Sequence, residues 1–192
     1  SGMVYALDPD TEGALLWARK FGRGGKLGGV HFSMGVDNKK GVLYVPISDR
    51  SVQLLGKDAQ GEAEPGLHAV DIRTGETLWF TSSPVECKES DDCLAGFSAA
   101  VTVTDDLVFA PALNGVIYAF SADSGKLIWQ YDTAQEFKSV NDVDTKGGSI
   151  DLGGVYLAGG QLFVTSGYEV FGQQAGNAFM VFELDGDVDD GK

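Results

Sequence analysis

Leu67-His-Ala-Val-Asp-Ile-Arg-Thr-Gly-Glu-Thr-Leu-Trp79 decides the fold, because the same pattern stands at two other places in the chain. Upstream is Val4-Tyr-Ala-Leu-Asp-Pro-Asp-Thr-Glu-Gly-Ala-Leu-Leu-Trp17, and downstream is Ile117-Tyr-Ala-Phe-Ser-Ala-Asp-Ser-Gly-Lys-Leu-Ile-Trp129. Each copy reads as a short apolar strand, a turn of Asp, Ser, Thr and Gly, and a second strand closing on Trp. Asp71 suits an Asx turn, whose side chain accepts backbone hydrogen bonds from the residues just ahead. Gly75 and Gly125 suit the positive φ of a bulged hairpin corner. The first copy carries one extra residue, Glu12, and the third has Ser121 where the others have Asp.

Trp17, Trp79 and Trp129 are 62 and then 50 residues apart. A bare four-stranded propeller blade repeats at roughly 40–50 residues, so this period fits blades with loop insertions. A large apolar ring with one N–H, recurring once per unit, is placed to pack on the neighbouring unit. The expected fold is therefore all-β, a partial propeller of four-stranded antiparallel blades, with the three Trp residues as structural marks of the repeat.

Composition agrees. Glycine is 27 of 192 residues, about twice the usual level, while proline is scarce, which suits turn-rich β structure. Acidic residues outnumber basic ones 28 to 14, for a net charge of −14. That argues against nonspecific nucleic-acid binding, which relies on Lys and Arg neutralising phosphates. No apolar run is long enough to span a bilayer. The abrupt start at Ser1-Gly-Met-Val-Tyr reads as a truncated beginning, with any export signal upstream.

Taken in order, residues 3–21 supply half a blade, 28–83 and 95–131 full blades as the second and third units, and 147–184 an incomplete fourth, followed by an acidic tail at 185–192. Residues 28–37 read as an inner strand, as do 97–104; 50–65 and 132–146 read as polar insertions. Propellers close with about four to eight blades, so this chain is expected to be an arc. An arc leaves two apolar faces bare. At roughly 400–800 Å² each, that exposure costs on the order of 10–20 kcal/mol per face. The expected partner is the rest of a propeller or a second copy of the chain.

The pattern Ala-x-Asp-x-x-Thr-Gly-x-x-x-Trp, best matched at Ala69, Asp71, Thr74, Gly75 and Trp79, resembles the repeat of the quinoprotein propellers that bind pyrroloquinoline quinone (PQQ). The segments between the repeats narrow the likeness. Gly28-Gly-Val-His-Phe-Ser-Met-Gly-Val-Asp37, Leu43-Tyr-Val-Pro-Ile-Ser-Asp49, Pro65-Gly-Leu-His68, Ser98-Ala-Ala-Val-Thr102, Lys146-Gly-Gly-Ser-Ile-Asp151 and Val164-Thr-Ser-Gly-Tyr168 are similar to the C-terminal half of polyvinyl-alcohol dehydrogenases. The resemblance implies a periplasmic or secreted enzyme that oxidises secondary alcohols by hydride transfer to PQQ. It also implies calcium beside the quinone, a carboxylate as base, and cytochrome c as electron acceptor. Scaffold propellers of outer-membrane assembly share the Trp repeat, so a non-catalytic protein-binding scaffold is the alternative, as is a quinoprotein that has lost its cofactor.

On that resemblance, Lys146 is the expected cofactor contact, its cation reaching over a glycine pair towards the axis. Asp151 is the candidate catalytic base or calcium ligand. His31, in the inner segment, and Tyr168 and Asn177, which bracket a glycine-rich loop, are further candidates for lining the cofactor site. His68 replaces the Tyr of the other hairpins and reads as structural; Asp37 and Asp49 read as turn caps. Cys87 and Cys93 enclose an acidic loop and, in an exported protein, are expected to form a disulfide. The adjacent-cysteine disulfide with which quinoproteins contact the cofactor is absent, and the acidic tail lacks the spacing of an EF-hand loop.

Overall fold

The computed structural model describes residues 2–25, 27–50, 61–85 and 94–183. The expected Cys87–Cys93 disulfide and the acidic tail lie outside the described residues. Among those described there is no α-helix, only a single 3-10 turn at Pro9–Thr11. Glu12, which follows it, takes φ 56°, and this is how the first hairpin absorbs its extra residue.

The strands are β1 (Met3–Asp8), β2 (Ala14–Lys20), β3 (Gly35–Asp37), β4 (Val42–Ile47), β5 (Gly66–Asp71), β6 (Thr77–Ser82), β7 (Thr102–Val103), β8 (Leu107–Pro111), β9 (Val116–Ser121), β10 (Leu127–Asp132), β11 (Glu136–Lys138), β12 (Asp144–Lys146), β13 (Val155–Ala158), β14 (Gln161–Ser166) and β15 (Ala178–Glu183). They form successive antiparallel sheets, β1-β2, β3-β4-β5-β6, β7-β8-β9-β10 and β13-β14-β15, with β11-β12 as a separate hairpin. Each sheet joins neighbours in sequence order, the meander of a propeller blade. The fold is a partial propeller.

Side chains alternate between the two faces of each sheet, and this builds three inter-sheet cores. Val4 and Trp17 of the first hairpin meet Leu43, Val45 and Ile47. Tyr44 and Leu67, from the other face of that second sheet, meet Val108, Ala110 and Phe120. Ile117 of the third sheet meets Val155, Leu162 and Val164 of the last.

The Trp hairpins repeat in atomic detail. Each Trp pairs across its hairpin with an alanine, Trp17 with Ala6, Trp79 with Ala69 and Trp129 with Ala119, next to a shift in register. The Trp17 Nε1–H donates to the Ile72 carbonyl at 2.9 Å, and the Trp79 Nε1–H to the Ala122 carbonyl at 3.1 Å. Both acceptors lie in the turn of the next sheet. There the indole covers the turn glycine: a Cβ added to Gly75 would lie 2.7 Å from the Trp17 ring, and one added to Gly125 would lie 2.6 Å from that of Trp79. These glycines are required twice, by φ values of 71° and 68° and by the ring seated on them. Trp17 is 6% exposed and Trp129 38%; Trp129 packs edge-on against Phe182, with ring centroids 5.9 Å apart.

Two sheet faces carry exposed apolar side chains, Tyr5, Leu7 and Leu15 on the first hairpin and Tyr156, Phe179 and Val181 on the last sheet. They are the bare faces expected of an arc.

Two expectations need correction. The inner strands are much shorter than their apolar runs: only 35–37 of 28–37 and only 102–103 of 97–104 are strand. In the second run the leading residues hydrogen-bond to neighbouring units instead, Phe97 N–H to the Ile47 carbonyl and Ala100 N–H to that of Leu152, while in the first Gly29 N–H goes to the Asp49 carboxylate. The stretch 132–146 is also more than an insertion, because it contains the β11–β12 hairpin.

Candidate functional site

The glycine-rich segments that lead into each unit meet at one end of the arc. The carbonyls of Gly29, Gly96 and Ser149 each accept a hydrogen bond from a residue just past the second strand of the same unit, Ser48, Leu113 and Gly167 respectively. Two residues beyond these carbonyls stand His31, Ser98 and Asp151. They occupy one repeating position in three successive units. The segments approach so closely that Gly96 has no room for a Cβ against the Ser48 backbone, nor Gly148 against Gln174.

His31 Nδ1 and Ser98 Oγ share a hydrogen bond of 2.6 Å, and Ser98 is 1% exposed. Asp151 is 7% exposed. Its Oδ1 accepts from the Leu152 N–H at 2.9 Å, and its Oδ2 accepts from the Gln173 side-chain amide at 2.9 Å. Both donors are neutral and satisfy the carboxylate without cancelling its charge. Gln173 is held in turn, since its Oε1 accepts from the N–H groups of Val170 and Phe171 at 3.0 and 2.6 Å. The carbonyls of Phe171 and Gly172 take the Arg50 guanidinium at 2.9 and 3.2 Å. Arg50 comes from the second sheet's end, more than 120 residues earlier.

Asp49, read as a turn cap, ties together three segments at this end. Its buried carboxylate accepts from the backbone N–H groups of Arg23, Gly29 and Glu64. Asp37 is the turn cap expected of it, accepting from Lys39 and Lys40 N–H at 2.9 and 3.0 Å. His68 packs between Phe21 and Phe80, and burial pushes its pKa down to about 4.

Asp151, Tyr168 and Asn177 line one cavity of about 520 Å³, with Gly167 and Phe179 among its walls. Lys146 lines a neighbouring cavity of about 630 Å³ that shares Asn177. The Asn177 side chain holds the end of β12, its Oδ1 accepting from Lys146 N–H at 2.9 Å and its amide donating to the Asp144 carbonyl at 3.3 Å. Lys146 is exposed, and its ammonium makes no side-chain bond among the described residues. His31 lines neither cavity. The structure thus brings together Asp151, Tyr168 and Asn177, sets Lys146 next to them, and leaves His31 apart with Ser98.

Sequence reading missed Ser98, Arg50 and Gln173. Ser98 was open to detection by aligning the inner segments of the units. Arg50 and Gln173 carry no local signal, since what matters is a contact between distant parts of the chain.

A flat quinone bearing several carboxylates calls for a cation, hydrogen-bonding side chains and a nearby base. Lys146, Tyr168 and Asp151 are of those types, so the donor set fits that group. Among the described residues no group of three His, Cys, Asp or Glu side chains comes together to hold a metal ion, so calcium is given no ligand set here. No helix among them is long and apolar enough to cross a membrane.

A family model described as outer membrane protein assembly factor BamB matches residues 1–188. Two polyvinylalcohol dehydrogenases, from Sphingopyxis sp. (strain 113P3) and Pseudomonas sp., are 35% and 36% identical over 97% of this chain. The chain spans 29% of the length of each. A 1-butanol dehydrogenase (cytochrome c) of Thauera butanivorans is 26% identical over 55% of this chain and 15% of its own length. Among solved structures, a quinohemoprotein alcohol dehydrogenase from Pseudomonas putida HK5 matches with a TM-score of 0.57 and 17% identity, over 86% of this chain and 25% of that one. That likeness is one of fold. With the Trp-stapled sheets and the sequence match both running nearly the length of the chain, the chain belongs to the PQQ-repeat family of quinoprotein β-propellers.

Proposed function

We propose that this chain is part of a PQQ-dependent dehydrogenase that oxidises secondary alcohols, of the kind carried along polyvinyl alcohol, in the periplasm or outside the cell. The observation that carries the reading is Asp151, a buried carboxylate whose two oxygens are fixed by neutral donors and which opens on a cavity shared with Tyr168. The polyvinylalcohol dehydrogenases at 35–36% identity supply the substrate class. The 1-butanol dehydrogenase (cytochrome c) supports cytochrome c as the electron acceptor.

When bound, PQQ supplies the two-electron acceptor for the hydride. The chain's own residues do the rest. Asp151 takes the hydroxyl proton of the alcohol on a carboxylate lone pair, a general-base role. The Lys146 ammonium offsets the negative charge of the cofactor, and Asn177 holds the strand from which that lysine projects. Tyr168 offers a hydroxyl to orient the alcohol. His31, bonded to Ser98 and lining neither cavity, is given no part in these steps. Calcium belongs to the reading through the family resemblance alone, and no step passes through it.

A second reading, a non-catalytic scaffold, is favoured by the assembly-factor description of the matching family model. Adding PQQ and calcium to the protein and following quinone absorbance and dye reduction with secondary alcohols separates the two. Turnover supports the dehydrogenase. Binding without turnover points to a degenerate quinoprotein, and absence of binding to the scaffold.

A further inference from the structure

We infer that Gln173 is a positioning residue for Asp151 and that Arg50, on a different blade, sets Gln173 in place. The inference rests on the reading of Asp151 as the reacting carboxylate, and it extends that reading to two residues that touch neither alcohol nor quinone.

The Gln173 side chain has one acceptor oxygen and two amide hydrogens. Its oxygen is occupied by two backbone donors, Val170 and Phe171, which fixes which end of the amide faces Asp151. The end that faces Asp151 is therefore a donor, able to serve the carboxylate but not an acid proton. It holds Oδ2 while Leu152 N–H holds Oδ1. With both oxygens tied, the plane of the carboxylate is set, and each oxygen keeps a second lone pair for an incoming proton.

This geometry depends on the fold of residues 170–173. That short loop stays in register because its two outward carbonyls, those of Phe171 and Gly172, are gripped by the planar fork of Arg50. Two parallel bonds from one guanidinium specify direction as well as position. Arg50 is itself fixed. The Arg23 guanidinium donates to the carbonyls of Asp49 and Arg50, and the Asp49 carboxylate anchors three backbone segments around it. A rigid corner of the second blade thus reaches past the third blade and fixes a loop of the fourth. Small misplacement of a catalytic group costs rate more than binding, so the relay acts on turnover.

The test uses the full chain with Arg50→Lys, Gln173→Leu and the double substitution. In the cofactor-free protein labelled with 13C at the aspartate carboxyl, the Asp151 resonance, assigned by its loss in Asp151→Asn, is expected to move in Gln173→Leu. It is expected to move the same way in Arg50→Lys, which touches nothing on Asp151. With PQQ and a secondary alcohol, each single variant is expected to lower kcat by about 10-fold or more with KM changed less than about 2-fold. The double variant is expected to lose no more than Gln173→Leu alone, the mark of two residues acting through one route. An Asp151 resonance unmoved by Arg50→Lys, or kcat losses that multiply, overturns the relay. Failure of the unsubstituted protein to bind PQQ overturns the dehydrogenase reading instead, and the relay then stands or falls on the carboxyl resonance alone.

Discussion

At the outer rim of the arc the same contact is built twice from the same residues, whereas at the inner end one repeating position carries three different side chains. Trp17 and Trp79 each reach the next sheet's turn, donate to its carbonyl and cover its glycine. His31, Ser98 and Asp151 occupy equivalent places by their backbone hydrogen bonds, yet one is an imidazole, one a buried hydroxyl and one a buried carboxylate. Where every unit has the same packing task, the repeat keeps its residues. Where the inner segments run side by side, each unit carries a different group at the equivalent position. On the proposed reading the rim serves stability and the inner end chemistry, and substitutions at the two places are expected to separate those properties.

The largest separation is expected at Asp151. Asp151→Asn keeps the shape of the side chain and removes its basicity, so alcohol-dependent dye reduction should fall by about 10²–10⁴-fold while the urea midpoint moves little. Trp17→Ala should do the reverse, costing about 3–5 kcal/mol of stability. Trp129→Ala should cost less than half of that, because its ring is 38% exposed against 6% for Trp17. Equal losses at the two tryptophans in denaturant titrations would break the account of the rim.

Gly125→Ala is the next in size. It forces a Cβ into a left-handed backbone position and to within 2.6 Å of the Trp79 ring, for an expected cost of about 2–3 kcal/mol. Gly159, also at positive φ with nothing near its Cβ position, should lose only about 1–2 kcal/mol on the same change. The difference between them measures the close seat that the Trp79 ring and Thr81 Oγ1 form on Gly125 rather than backbone strain.

The smallest effect is one of pH. Burial among aromatic rings holds the His68 pKa near 4, below its ordinary 6.5, so folding favours the neutral ring. Its contribution is intact above pH 6.5 and is lost as pH falls through about 4. Discounted for partial exposure, the loss is about 1–2 kcal/mol. His68→Phe should flatten that part of a stability–pH curve measured by denaturant titration, while His68 itself should show no NMR titration between pH 5.5 and 8.

The rim was legible in the sequence because its chemistry is local. The Asp8, Asp71 and Ser121 side chains each accept a backbone N–H two or three residues ahead, and the corner glycines follow within a few residues. Lys146, Asp151 and Tyr168 could be read as candidates because a resemblance singled out their segments, and Asn177 because it closes the glycine-rich loop that Tyr168 opens. The hairpin β11–β12 escaped because its strands are three residues long and show little apolar alternation. The inner strands were read too long because an apolar run does not reveal where its N–H groups bond, to another unit as for Phe97 and Ala100 or to a side chain as for Gly29. Arg50 and Gln173 escaped for the same reason at greater distance: their roles exist only once the second and fourth sheets are placed around one end of the arc.

The central claim is that this inner end is a cofactor site whose cation is Lys146, and a PQQ titration followed by quinone absorbance tests it most directly. The account predicts saturable one-to-one binding, weakened about 10-fold or more by Lys146→Ala and unchanged by Trp129→Ala. Absence of saturable binding, or affinity indifferent to Lys146 and lost with Trp129, would contradict it.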